Sequence, residues 1–194
     1  MKDSLRHILR KELVRLTEAR HSNYEVSDEP YANIFFTFIN EYNRSTGYQK
    51  ANLRQAFQYA IREYTMKPHK LISKKIADHF IEHFPNVNPF QVRWNSRKKY
   101  GVVNGKSFIL FEHTTPVKTF LLELAKCSTL DEVKQAMRDY SGICLVTRDE
   151  DDCLRQKGFN VDRADGWRVA YRACDIEVMD ESQFNNYKFQ NLEL

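Results

Sequence analysis

The stretch SFILFEHTTPVK (residues 107–118) decides how the chain is read. An apolar, strand-prone run leads straight into a carboxylate, an imidazole, two hydroxyls, a proline and a lysine. Residues 107–111 have the composition of a strand, and Pro116 has the place of a helix start. Side chains alternate along a strand, so Glu112 and His113 are expected on opposite faces unless the strand breaks there. The start of a helix near residues 116–118 favours an anion, and Lys118 adds positive charge.

Working back from this stretch, YGVVNGKSF (residues 100–108) carries the strongest short hairpin signal. Asn104 and Gly105 tolerate the positive φ that a type I′ turn needs at both central positions. Before it lies FQVRWNSRKKY (residues 90–100), in which Phe90, Val92 and Trp94 interleave with Arg93, Arg97, Lys98 and Lys99. That segment follows a short amphipathic pattern, SKKIADHFIEHF, capped by Ser73, and a PNVNP turn. The order predicts a helix-turn-helix-like unit, with the hairpin as a wing or as the first strands of a sheet. Further upstream, helical spacing predicts helices over residues 3–20, over the segment following Pro30, and over 51–66.

Working forward, residues 117–127 and 130–140 read as helices, the second with a Thr129/Glu132 capping box. ICLVT (residues 143–147) reads as a buried strand. RDEDDCLRQKGF reads as a turn and a helix, ADGWRVAYRAC as another helix, and DIEVM as an edge strand. The tail from Gln183 carries no clear pattern. The fold class is therefore α+β: a helical N-terminal part with a helix-turn-helix-like unit, then a small mixed α/β part.

The chain has 194 residues and a net charge of +4, unevenly placed. Residues 1–100 hold 18 Lys and Arg against 10 Asp and Glu, whereas residues 101–194 hold 12 against 16. The expected division is a basic, nucleic-acid-binding part over residues 1–99 and a catalytic or ligand-sensing part over 100–194. No apolar run approaches membrane-spanning length, so no membrane partner and a cytoplasmic location are expected. The four cysteines lack metal-ligand spacing and read as buried reduced thiols. P-loop, dinucleotide-binding and nucleophile-elbow signatures are absent.

Nucleic acid, DNA before RNA, is the expected partner, gripped by Arg93, Trp94, Asn95, Arg97, Lys98 and Lys99. The lead expectation is a DNA-acting endonuclease of the restriction or phage-defence kind. Its catalytic residues would be Glu112, His113 and Lys118, with Arg168, Tyr171 and Arg172 on one helix face as a phosphate clamp. If the two longest strands are parallel neighbours, Glu112 meets Asp149 or Glu150 and the carboxylates hold Mg²⁺. The competing reading makes RDEDD an acidic first turn on the following helix. Two alternatives stand beside it: a non-enzymatic regulator that reads DNA with the helix-turn-helix-like unit, and a metal-independent RNase toxin using His113, Arg168 and Tyr171. A homodimer is expected, since duplex cutters work in pairs. His79 and His83 stand at i, i+4 but read as a surface pair, not as metal ligands.

Overall fold

A computed structural model describes residues 11–12, 15, 28–65 and 69–192. The helix expected over 3–20 lies almost wholly outside the described residues. The chain divides into two compact units, each built from two separate stretches. One comprises Met1–Lys67 with Val117–Ser141, and the other Pro68–Pro116 with Gly142–Leu194. A cut between residues 99 and 100 falls inside the second unit.

The first unit is helical. Helix α1 (Glu29–Arg44) carries Pro30 in its first turn, where the missing amide hydrogen costs nothing. Helix α2 (Gly47–Thr65) follows. The later stretch adds two helices, named α4 (Val117–Leu124) and α5 (Leu130–Tyr140) by chain order. The Thr129/Glu132 capping box forms as its spacing predicts. Each helix packs on two others around a shared aromatic core of Phe35, Phe38, Phe57, Tyr64 and Phe120. Phe38 and Phe57 stack with centroids 5.2 Å apart, and Phe35 meets Tyr64 edge-on at 5.5 Å. Burying each such ring stabilises the unit by about 2–3 kcal/mol.

The second unit is a four-stranded sheet covered on both faces. Its elements are β1 (Leu71–Ser73), α3 (Lys74–His83), β2 (Val102–Val103), β3 (Lys106–Ser107), β4 (Ile109–His113), β5 (Ile143–Thr147), α6 (Arg148–Gln156), α7 (Trp167–Ala173), β6 (Val178–Met179) and α8 (Glu181–Leu192). The strand order is β4-β5-β1-β6. β1 and β5 run parallel, and the two outer pairs run antiparallel.

Period-two alternation separates two cores. Ile72, Ile109, Phe111 and Leu145 meet α3 and α8, through residues such as Phe80 and Phe184. Leu110, Cys144 and Val146 meet α6 and α7, through Leu154, Ala170 and Tyr171. The Asn104-Gly105 hairpin forms with φ of 51° and 73°, as a two-stranded sheet of its own.

Two expectations need correction, and two elements carried no signal in the sequence. The segment after the PNVNP turn is not an α-helix. It forms two 3₁₀ runs, Pro89–Gln91 and Trp94–Tyr100, so the second helix of a helix-turn-helix is missing. Pro89 starts the first run, and Gly101, at φ 131°, terminates the second. The tail forms α8, with Asp180 accepting from the Gln183 amide and Phe184 buried. β1 has only three residues, too few for a pattern to show, yet it occupies the middle of the sheet. Finally, Cys153 of α6 and Cys174, just past the end of α7, are joined as a disulfide, their Cα atoms 5.9 Å apart, on the face of the sheet that both helices cover. Cys127 and Cys144 are free thiols.

Candidate functional site

Strand β4 positions two polar regions on opposite sides of the sheet. Phe111 faces the α3 side, and Glu112 faces the α6–α7 side. The two regions differ in how their charges are met.

On the α6–α7 side, Glu112 pairs with Arg163, a residue that carried no signal in the sequence. The Arg163 guanidinium also donates to the His113 and Thr114 carbonyls at 2.6 and 2.8 Å, and its Nε donates to the Phe159 carbonyl at 2.9 Å. One buried arginine thus holds the end of β4 where the chain leaves for the helical unit. Thr114 pins the same point from the other strand: its amide and hydroxyl both donate to the Gly142 carbonyl, at 2.9 and 3.1 Å. A Cβ on Gly142 would stand 2.3 Å from Thr114 Oγ1, so only glycine fits.

Burial pushes the Glu112 carboxyl above its ordinary value, against the opposing pull of Arg163, and the neighbouring Asp151 carboxyl raises it further. Asp151 is itself buried and lies 2.7 Å from Arg155 Nη2 in an ion pair. Burial likewise pushes up the Tyr171 hydroxyl and the Cys144 thiol, which therefore stay neutral near pH 7. Neutral and enclosed, they pack beside the Glu112–Arg163 pair.

The expected catalytic and metal residues do not converge. β4 and β5 are antiparallel, with Ile109 opposite Thr147 and His113 opposite Ile143. The ends of the two strands therefore point apart, and Glu112 does not meet Asp149 or Glu150 at a shared edge. Glu150 is buried and occupied: it accepts from Ser73 Oγ at 2.8 Å and from the Thr147 amide at 2.7 Å, completing a capping box. Asp149 is exposed in the same first turn. The acidic run is thus a helix cap, and among the described residues no group of three or more His, Cys, Asp or Glu could hold a metal ion.

Glu112 and His113 leave β4 on opposite faces. Lys118 is exposed on α4, in the helical unit. Tyr171 is buried, while Arg168 and Arg172 are exposed, with Arg168 stacked on Trp167 at 4.5 Å. Arg168, Tyr171 and Arg172 line a pocket of about 370 Å³ with Asp175 and Glu177, whose carboxylates make it unfit as a dedicated phosphate clamp.

The basic segment has a different character. In a 3₁₀ helix, side chains three apart eclipse one another, and Arg97 accordingly lies 3.7 Å from the ring centre of Trp94. Trp94 packs edge-on against Phe111 at 5.5 Å and keeps 39% of its surface exposed. Arg93, Asn95, Lys98 and Lys99 are exposed around it.

A second arginine joins this face from the first position of α6. Arg148 donates from Nη2 to the Ser107 carbonyl at 2.9 Å, and its charge lies close enough to act on Arg97. Burial, and then Arg148, hold Arg97 below its ordinary value. Both Nε atoms are buried without a hydrogen-bond partner, and neither arginine has an ion-pair partner among the described residues. Arg148 was hidden in the sequence by the four acidic residues that follow it.

Comparison of the chain with protein-family models, curated proteins and solved structures finds no match.

Proposed function

We propose that the protein binds nucleic acid through the basic aromatic face of its second unit. One observation carries this reading. Arg97 and Arg148 stand together without an acidic partner among the described residues, bordered by Arg93, Lys98, Lys99 and a half-exposed tryptophan. Like charges held close raise the free energy of the empty face, and a bound phosphate relieves that repulsion. The fold supplies the arrangement: the 3₁₀ run presents its cations from one short segment, and the start of α6 adds Arg148.

The test is an anisotropy titration with labelled oligonucleotides at rising salt. Four phosphate contacts would weaken binding by on the order of a hundredfold between 50 and 200 mM salt. Absence of binding at 50 mM salt would end the proposal.

Phosphodiester cleavage is a second reading, favoured by the closeness of the Glu112 and Asp151 carboxyl groups. It is tested by incubating plasmid DNA and total RNA in Mg²⁺ and in EDTA beside Glu112→Gln. Cleavage in Mg²⁺ that the variant loses would support it. Cleavage that the variant retains would remove Glu112 from the chemistry.

A further inference from the structure

We infer that the nucleic acid this face takes is single-stranded, with a base stacked at Trp94 and the neighbouring phosphates held between Arg97 and Arg148. The inference rests on the nucleic-acid reading above and names the substrate class.

Three observations on one face point to a single strand. The first concerns what is missing. Reading a duplex through its major groove takes an α-helix or a two-stranded ribbon long enough to follow the groove. The element here is a 3₁₀ run of seven residues, about 14 Å long at roughly 2.0 Å rise per residue. Its side chains do not fan along a groove. Arg97, in its middle, folds back onto Trp94.

The second concerns the aromatic group. Trp94 rests edge-on against Phe111 with Arg97 over its ring, and 39% of the residue's surface stays open. A tryptophan buried for packing alone would be covered, and one in a duplex interface has no unstacked base to meet. Single-stranded chains supply bases with free faces, and each stacks on an aromatic ring irrespective of its identity. The Arg97 guanidinium covers one face of the indole, so a base stacks on the other face or on the guanidinium itself, since a planar guanidinium also stacks on bases.

The third concerns spacing of charge and ring. Arg97 sits directly on the indole, and Arg148 sits close to Arg97. A stacked base and its own phosphate are adjacent in a nucleotide chain, so a ring with cations beside it fits one nucleotide and its neighbours. The exposed Lys98 and Lys99 continue the positive track along the chain, and the apolar Val102 and Val103 of the hairpin stay exposed beyond them. Recognition of this kind is tolerant of sequence.

The experiment uses the full chain carrying Trp167→Phe, so that Trp94 alone reports by fluorescence. Probes are single-stranded DNA of about 12 nucleotides, the RNA of the same sequence, and the DNA duplex. The expected result has three parts. A single strand, DNA or RNA, binds at least about tenfold tighter than the duplex. Its binding quenches Trp94. In a chain that keeps Trp167, Trp94→Ala weakens single-strand binding by about 5- to 100-fold, whereas Trp94→Phe retains most of it. Because Trp94 is exposed, both variants are expected to fold, and the duplex affinity of Trp94→Ala serves as an internal check.

A duplex bound as tightly as the single strands, with no quenching, would overturn this inference and leave the nucleic-acid reading standing. Failure to bind any of the three probes would overturn both.

Discussion

Phe111 and Glu112 are neighbours in the chain, yet they lie beneath two opposite treatments of charge. Beside Phe111, two half-buried guanidinium groups stand together, each donating to a backbone carbonyl and neither meeting a carboxylate among the described residues. Beside Glu112, a single guanidinium is enclosed and answered by a carboxylate and three backbone carbonyls. Buried charge must be satisfied within the protein, so the Glu112 side reads as architecture. Partly open charge with no acidic partner among the described residues can take one from outside, which supports the Phe111 side as the proposed binding face. The same residue types carry opposite roles, and the accounting of their partners decides which.

The largest expected effect falls on the closed side. Arg163→Met strands Glu112 in a buried site and removes the donor to the end of β4, and the protein should lose about 3–5 kcal/mol of stability. Chemical denaturation checks this. The double variant Arg163→Met/Glu112→Met should recover much of the loss, since an apolar pair replaces a buried ion pair without stranding a charge. A single variant of normal stability would show that the closed cluster holds nothing together.

A titratable group beneath the open side comes next. His69 is buried between Phe90 and Phe111; its Nε2 meets the Pro89 carbonyl, and its Nδ1 has no partner. Burial lowers it from the ordinary 6.5 to about 4. The unfolded chain therefore takes up the proton first. Stability should be full above pH 6.5, fall as the pH drops from 6.5 towards 4, and change no further on this account below that. The total is on the order of 3 kcal/mol, and His69→Phe should flatten the slope. Denaturation midpoints measured across this pH range give the answer.

Gly142→Ala should cost about 1–3 kcal/mol, because the new methyl group meets the Thr114 hydroxyl. Combining it with Thr114→Ala should return part of that loss, and thermal melts of the four proteins of the cycle would show the coupling. The smallest effect belongs to the open side. Lys98→Gln/Lys99→Gln should shift stability by less than about 0.5 kcal/mol while weakening oligonucleotide binding, which separates surface charge kept for a partner from charge kept for the fold.

Much of the local structure was legible in the chain. The Asn104-Gly105 hairpin, the Thr129/Glu132 box, the helix start after Pro116 and the α+β class all follow from short-range chemistry. The basic segment was legible too, though as the wrong kind of helix. What could not be read depends on distant partners. Whether β4 and β5 run parallel depends on the long connection between them, and no residue of either strand encodes that. Antiparallel pairing then separates Glu112 from Asp149 and Glu150, and a carboxylate set that looked plausible in sequence has no common edge. Arg163 and Arg148 were invisible for a related reason: one sits in an irregular loop and the other precedes an acidic run, and each acquires meaning only from neighbours 41 to 51 residues away. The bridging of Cys153 and Cys174 likewise needs two helices to meet.

The most direct test is the salt dependence of oligonucleotide binding by Arg97→Gln/Arg148→Gln. Arg168→Gln/Arg172→Gln, which removes two exposed charges from α7, is the control. Loss of two phosphate contacts should reduce the slope of log affinity against log salt by roughly 1.5, with the control close to the unaltered protein. An unchanged slope, or an equal reduction in the control, would contradict the assignment of function to the open face.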